Sequence, residues 1–187
     1  MAPSVVAIER VSKDRFQVSL PALDYRTVLR SRRRGEVAMV IQRCPGWVLL
    51  HAKQHYPPGV FRLPTGTVQP RESSVTSMLR ELHEEANLEP GGHRRLARVE
   101  YLIEGGRRDF FTEIFLIEAP KGELRPNDPG EAINAWREAP LSELPMIAGE
   151  LRSLEPPWQG WGLFRSVVHD LVPELVPALQ PEQLVGG

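Results

Sequence analysis

Read in order, the sequence predicts an α+β fold built on a mixed β-sheet. Two observations carry that expectation. Strand-like stretches fill the N-terminal third and the middle of the chain, interrupted by one well-specified amphipathic helix. Helical periodicity then takes over toward the C-terminus, without the regular strand–helix alternation that would predict an all-parallel sheet.

The strands come first. "SVVAIERV" (4–11) and "RFQVSL" (15–20) alternate apolar with polar residues, and Pro21 closes the second. "EVAMVIQR" (36–43) is a stronger strand, and a turn at Cys44-Pro45-Gly46 leads into "WVLLHAK" (47–53), so the unit reads as a hairpin. "QHYPPG" is a loop and "VFRLP" (60–64) a short strand. Beyond the helix, "RRLARVEYLIEG" and "RDFFTEIFLIEA" are two long strands joined at Gly105-Gly106, a second hairpin. "PKGELRPNDPGEA" (120–132) is long enough to serve as a lid or binding loop. "INAWREAPL" begins as a strand, and "LSELPMIAGELRSL" reads as a helix around a proline. Trp161, Phe164, Val168 and Leu171, with Leu175 beyond, recur at helical spacing and predict a C-terminal helix over 158–179, kinked or ended by Pro173.

Composition bounds the function. A chain of 187 residues, 41% hydrophobic and 25% charged, fits a single domain over 1–187 with one sizeable core. A formal net charge of −1 gives no bulk attraction to polyanions, so nucleic acid is not an expected partner, though one small nucleotide is compatible. The chain lacks the start of a signal peptide and the apolar run of about 18 residues that spans a bilayer, so no membrane partner and a cytoplasmic location are expected. A lone cysteine, Cys44, excludes an intrachain disulfide and reads as a small buried or half-buried thiol.

The helix in "SSVTSMLRELHEEANL" is set by local signals. Val75, Met78/Leu79, Leu82 and Ala86 make one apolar face; Ser73 or Ser74 is the expected N-cap, and Asn87 suits the left-handed stop. Glu81, Glu84 and Glu85, at i, i+3 and i+4, share a face beside that stripe, where unpartnered carboxylates raise one another's pKa. A hard divalent cation relieves this, because Mg²⁺ takes oxygen ligands and keeps waters for substrate phosphates. His83 points about 200° around the axis from Glu81 and is expected in solvent.

The spacing around the glutamates adds a resemblance. Gly66, five residues, Glu72, seven residues, Arg80-Glu81-Leu82, one residue, Glu84-Glu85, one residue and Asn87-Leu88 closely resemble the box of the Nudix hydrolase family. Asn87 stands where the family has its second glycine, a mild departure because Asn tolerates positive φ. "FRLPTG" is similar to the strand that leads into the box, with Thr65 replacing a glycine. The resemblance covers roughly residues 35 to 145 and leaves the N-terminal strands and the C-terminal helix as additions. It implies an αβα sandwich with the family's loop–helix–loop, and hydrolysis of the pyrophosphate in a nucleoside diphosphate linked to another moiety, with Mg²⁺ or Mn²⁺ as cofactor. By position it implies Glu81, Glu84 and Glu85 as metal ligands, with backbone near Thr65 or Gly66 completing the site. Arg80 and Glu72 are implied as a supporting ion pair, so the catalytic set is Glu84, Glu85, Arg80 and Glu72. The base is left open among Glu84, Glu85 and the loop acids Asp128 and Glu131.

The partner implied is a small nucleotide diphosphate derivative, and a homodimer is compatible. Arg30, Arg32, Arg33, Arg34, Arg107 and Arg108 are candidate phosphate contacts beside turns; Tyr56, Phe61, Phe110, Phe111 and Trp136 are candidates to stack on a base. None identifies a substrate. The main alternative is a Nudix-fold module that binds a nucleotide without cutting it, which usually lacks box acids that are all present here. Isomerase chemistry would need an activated cysteine, and Cys44 has no acid or histidine near it in sequence.

Overall fold

A computed structural model describes residues 6–26, 28, 34–103 and 106–176, with backbone only for 106–109. Strands β1 (Ala7–Ser12) and β2 (Arg15–Leu20) form an antiparallel pair at one edge of a six-stranded sheet. The sheet continues through β3 (Gly35–Gln42), β5 (Thr65–Thr67), β6 (Gly92–Ile103) and β7 (Gly106–Glu118), in the order β1-β2-β6-β7-β3-β5. β2 pairs β6 and β3 pairs β7 in parallel, and the other ladders are antiparallel, so the sheet is mixed as expected. The β6–β7 hairpin is as the sequence predicts. β4 (Trp47–Lys53) pairs with β8 (Ile133–Pro140) in a separate two-stranded antiparallel sheet.

The β3–β4 hairpin read from sequence is therefore wrong. β3 has its two edges occupied by β5 and β7, and β4 leaves it after the Cys44–Trp47 turn to pair with β8. "VFRLP" likewise contributes a single bridge, Arg62 to His51, rather than a strand.

β3 explains the layering. All eight of its residues are buried, as expected of a strand covered on both faces. Val37, Met39 and Ile41 pack with Met78, Leu82 and Ala86 of helix α1 (Ser74–Ala86). Ala38 and Val40 face the larger core, with α2 (Leu144–Arg152) and α3 (Gln159–Leu175). Helix, sheet, helix is the sandwich the sequence predicted. Val75 and Leu79 do not join the α1 seam; they are exposed, because the buried stripe runs through Ser77, Met78, Glu81, Leu82, Glu85 and Ala86. α3 continues through Pro173 and ends at Leu175, four residues short of the sequence reading, whose last positions lie outside the described residues. Cys44 is exposed, not buried, because it lies in the turn beyond the end of β3. Among the described residues no helix is long and apolar enough to cross a membrane.

Candidate active site

The helix caps fix where the carboxylates point. Ser73 Oγ accepts the Thr76 N–H at 3.1 Å, and Asn87 adopts φ 55°, ψ 34° at the other end, its N–H reaching back to the His83 and Leu82 carbonyls. Asn87 thus supplies the positive φ that the family's glycine usually supplies. Glu72 lies just before the N-cap, outside the helix. His83 is exposed and hydrogen-bonded to Asn127, away from the cluster.

Arg80 organises the acids. Its Nε and Nη2 donate to the two oxygens of Glu72 at 3.0 Å each, Nη1 to Glu81 at 2.9 Å and to Glu84 at 2.8 Å, and Nη2 also to the Thr67 carbonyl at 2.9 Å. The guanidinium, with Ser77 Oγ and the Gln69 N–H, holds the Glu72 carboxyl down to about 2, so it is ionised throughout the working range. Glu81, by contrast, is pushed up by burial, against the pull of Arg80. Its Oε1 also accepts the Thr67 N–H at 2.9 Å.

Gly66 is the floor beneath Glu81. A Cβ there would lie 1.9 Å from Glu81 Cγ, so only glycine lets strand β5 and helix α1 approach this closely.

Glu85 sits deeper, 1% exposed, with Oε1 accepting from Lys53 Nζ at 2.7 Å and Oε2 unpartnered. Burial raises its carboxyl to about 7, despite Lys53. Burial works to lower the Lys53 ammonium, but Glu85 foremost among its neighbours, with Glu131, raises it overall and keeps it charged. His51 Nδ1 stands 3.9 Å from Glu85 Oε2, yet burial and the neighbouring cations hold the imidazole neutral, so this is no ion pair.

The long loop delivers the residue that helix geometry does not. Asp128 caps the Gly130 N–H at the start of a short 3-10 turn, and that turn aims Glu131 inward to Lys53 Nζ at 2.5 Å. The Glu84 carbonyl accepts the N–H groups of Asn127 and Asp128, which pins the loop to the helix. Glu81, Glu84 and Glu131 thereby bring carboxylate oxygens within 4.8 Å of one another. Asp128 stays exposed as a turn residue.

This donor set suits a hard divalent cation. All the ligands are oxygens, and among the described residues the five carboxylates of Glu72, Glu81, Glu84, Glu85 and Glu131 form ion pairs with two cations, Arg80 and Lys53. The cluster opens into a cavity of about 480 Å³ that Thr65, Gly66 and Thr67 also line.

Among the residues of the cavity wall that sequence reasoning does not single out are four with charged side chains: Lys53, Arg62, Glu36 and Arg165. Of the stacking candidates, Tyr56 lines the cavity but is buried against Arg62, His51 and Trp161. Phe110 is buried in the larger core, Trp136 packs on the smaller one, and Phe61 and Phe111 lie under Arg137 and Arg98. Arg34 is exposed; Arg30, Arg32, Arg33 and the side chains of Arg107 and Arg108 lie outside the described residues.

Comparison with known proteins agrees with this fold. The chain is similar over its fold to the MutT NUDIX hydrolase of Burkholderia pseudomallei, at 20% identity and a TM-score of 0.52, covering 75% of this chain and 97% of that one. Weaker likenesses are to the Escherichia coli ORF135 protein (23% identity, TM-score 0.49, covering 66% and 93%) and to MutT of Aliivibrio salmonicida and Vibrio cholerae (18% identity, TM-score 0.45, covering 59% and 82%). No curated protein sequence matches the chain. The sequence model described as NUDIX domain matches residues 32–159, well over half of the length, and the chain belongs to the Nudix family.

Proposed function

We propose that this chain is a Mg²⁺-dependent pyrophosphohydrolase that cleaves a nucleoside diphosphate linked to another moiety. The observation that carries the reading is the convergence of Glu81, Glu84 and Glu131 within 4.8 Å in the wall of a cavity of about 480 Å³. Glu81, Glu84 and Glu131 would hold the ion, with Glu85 and the Thr65–Gly66 backbone completing the set implied by the box. Bound there, Mg²⁺ or Mn²⁺ supplies charge neutralisation at phosphate oxygens and an acidified water.

The chain's own groups do the rest. Arg80 keeps Glu81 and Glu84 oriented, its own geometry fixed by the two bonds to Glu72. Glu84 Oε2 is taken by Arg80, while Oε1 has no hydrogen bond among the described residues and is the oxygen left to face the ion. Lys53 holds Glu131 and Glu85 in place from below.

The test is a hydrolysis panel of nucleoside triphosphates, ADP-ribose, nucleotide sugars, dinucleotide polyphosphates and coenzyme A, at millimolar Mg²⁺ and in excess EDTA. Turnover of at least one compound, abolished by EDTA, is expected. A uniformly blank panel would overturn the hydrolase reading in favour of a nucleotide-binding module.

A further inference from the structure

Two guanidinium groups in the cavity wall stand apart from the cations of the carboxylate cluster. Lys53 and Arg80 are each committed to at least two of the cluster's acids. Arg165 instead donates Nη1 to both oxygens of Glu36, at 2.7 and 2.8 Å, and its Nη2 has no hydrogen bond among the described residues. Arg62 is only 4% exposed and makes no ion pair with a carboxylate among the described residues. It donates to the Leu63 carbonyl at 2.7 Å, to Thr65 Oγ1 at 3.0 Å and to the Tyr56 hydroxyl, all neutral acceptors. Glu85 and Glu36 act on it only through space, so a buried guanidinium whose hydrogen-bond partners are all neutral has charge to offer a closer anion. Both arginines line the cavity that holds Glu81, Glu84 and Glu131.

Helix α3 arranges them. Trp161, Arg165 and His169 follow one another at four-residue spacing, which puts ring, guanidinium and imidazole on one face. The Arg62 guanidinium lies 5.9 Å from the centre of the Trp161 ring. His169 Nε2 accepts the Leu63 N–H at 3.1 Å, and Nδ1 bonds the Arg165 carbonyl at 2.9 Å, so the helix is tied to the backbone beside Arg62. The domain match ends at residue 159, where α3 begins. The helix therefore lines the cavity from beyond the residues that the family model matches.

We propose that Arg165 and Arg62 form a phosphate-binding wall, Arg165 by donating Nη2 to a phosphate oxygen and Arg62 by placing behind it a charge that makes no ion pair among the described residues. Guanidinium groups suit this role because their fixed fork matches phosphate oxygens and they stay charged when buried. The inference rests on reading the cavity as a diphosphate site, and it assigns recognition of the phosphate to this chain's C-terminal helix.

Isothermal titration with inorganic pyrophosphate in EDTA tests the wall without metal or turnover. Wild-type protein should bind, Arg165→Gln should weaken binding at least about tenfold, as loss of a charged hydrogen bond does, and Glu81→Gln should bind no more weakly than wild type. Arg165→Gln leaves Glu36 buried without its partner, so the double variant Glu36→Gln/Arg165→Gln, which removes both charges, should show the same loss in a folded protein. No binding by the wild type, or unchanged binding by both variants, would overturn the proposal. Arginine-dependent binding with a blank hydrolysis panel would sustain the wall and remove only the hydrolase reading.

Discussion

Replacing Gly66 by alanine tests the link between backbone packing and the carboxylate cluster. The new Cβ would lie 1.9 Å from Glu81 Cγ and 2.1 Å from its Cδ, where ordinary contact begins at 3.4 Å, so the Glu81 side chain must move by roughly 1.5 Å. It has little room to do so, being 6% exposed and held by the Thr67 N–H and Arg80. Overpacking of this kind costs about 1–3 kcal/mol, which for a chain of this length lowers Tm by roughly 2–12 °C. The effect on chemistry should be larger, because misplacing a reacting group by about 1 Å can cost on the order of 10²-fold in rate. Gly66→Ala should therefore remain folded by circular dichroism, bind Mn²⁺ at least about tenfold more weakly, and lose about 10²-fold in turnover. Wild-type metal affinity and turnover in this variant would show that Glu81 is not held where the site needs it.

Two other perturbations follow from the same structure. Glu84→Gln should abolish Mg²⁺-dependent phosphate release with Tm nearly unchanged, since Glu84 is only half-buried; Glu85→Gln should abolish it too but lower Tm, since it breaks the buried pair with Lys53; wild-type turnover in both would sink the catalytic assignment. His169 gives a pH signature. Burial holds its imidazole at about 3, far below the usual 6.5, and Nε2 must stay unprotonated to accept the Leu63 N–H. The unfolded chain thus takes up the proton first, so this contribution is complete above about pH 6.5 and is lost as pH falls toward 3. Urea unfolding should show about 2 kcal/mol less stability from this group at pH 5 than at pH 7, a difference absent in His169→Gln. An identical pH slope in the variant would refute it.

The parts of the site legible in sequence are those set by local chemistry. Ser73, Asn87 and the spacing of Glu81, Glu84 and Glu85 act within a few helical turns, and the structure reproduces the helix from cap to cap. Glu131 was one of two loop acids left open, because only the Asp128 cap and the pinning of the loop to the Glu84 carbonyl select it. Lys53, Glu36, Arg62 and Arg165 come from four separate elements and meet only through tertiary packing. One signal was available: Arg165 and His169 follow Trp161 at four-residue spacing, on the face of the helix that carries an aromatic residue, where a charged residue needs a buried partner. The β3–β4 hairpin failed for a related reason. Short spacing suggested local pairing, but β3 is an interior strand whose edges are taken by β5 and β7 from farther along the chain.

The most direct measurement of the central claim is anomalous diffraction from crystals of the wild-type protein soaked in Mn²⁺, which takes the same oxygen ligands as Mg²⁺. A peak bounded by the carboxylates of Glu81, Glu84 and Glu131 is predicted, and it should vanish in Glu81→Gln crystals. A wild-type map with no peak at that cluster, or with its only peak elsewhere on the surface, would contradict the account.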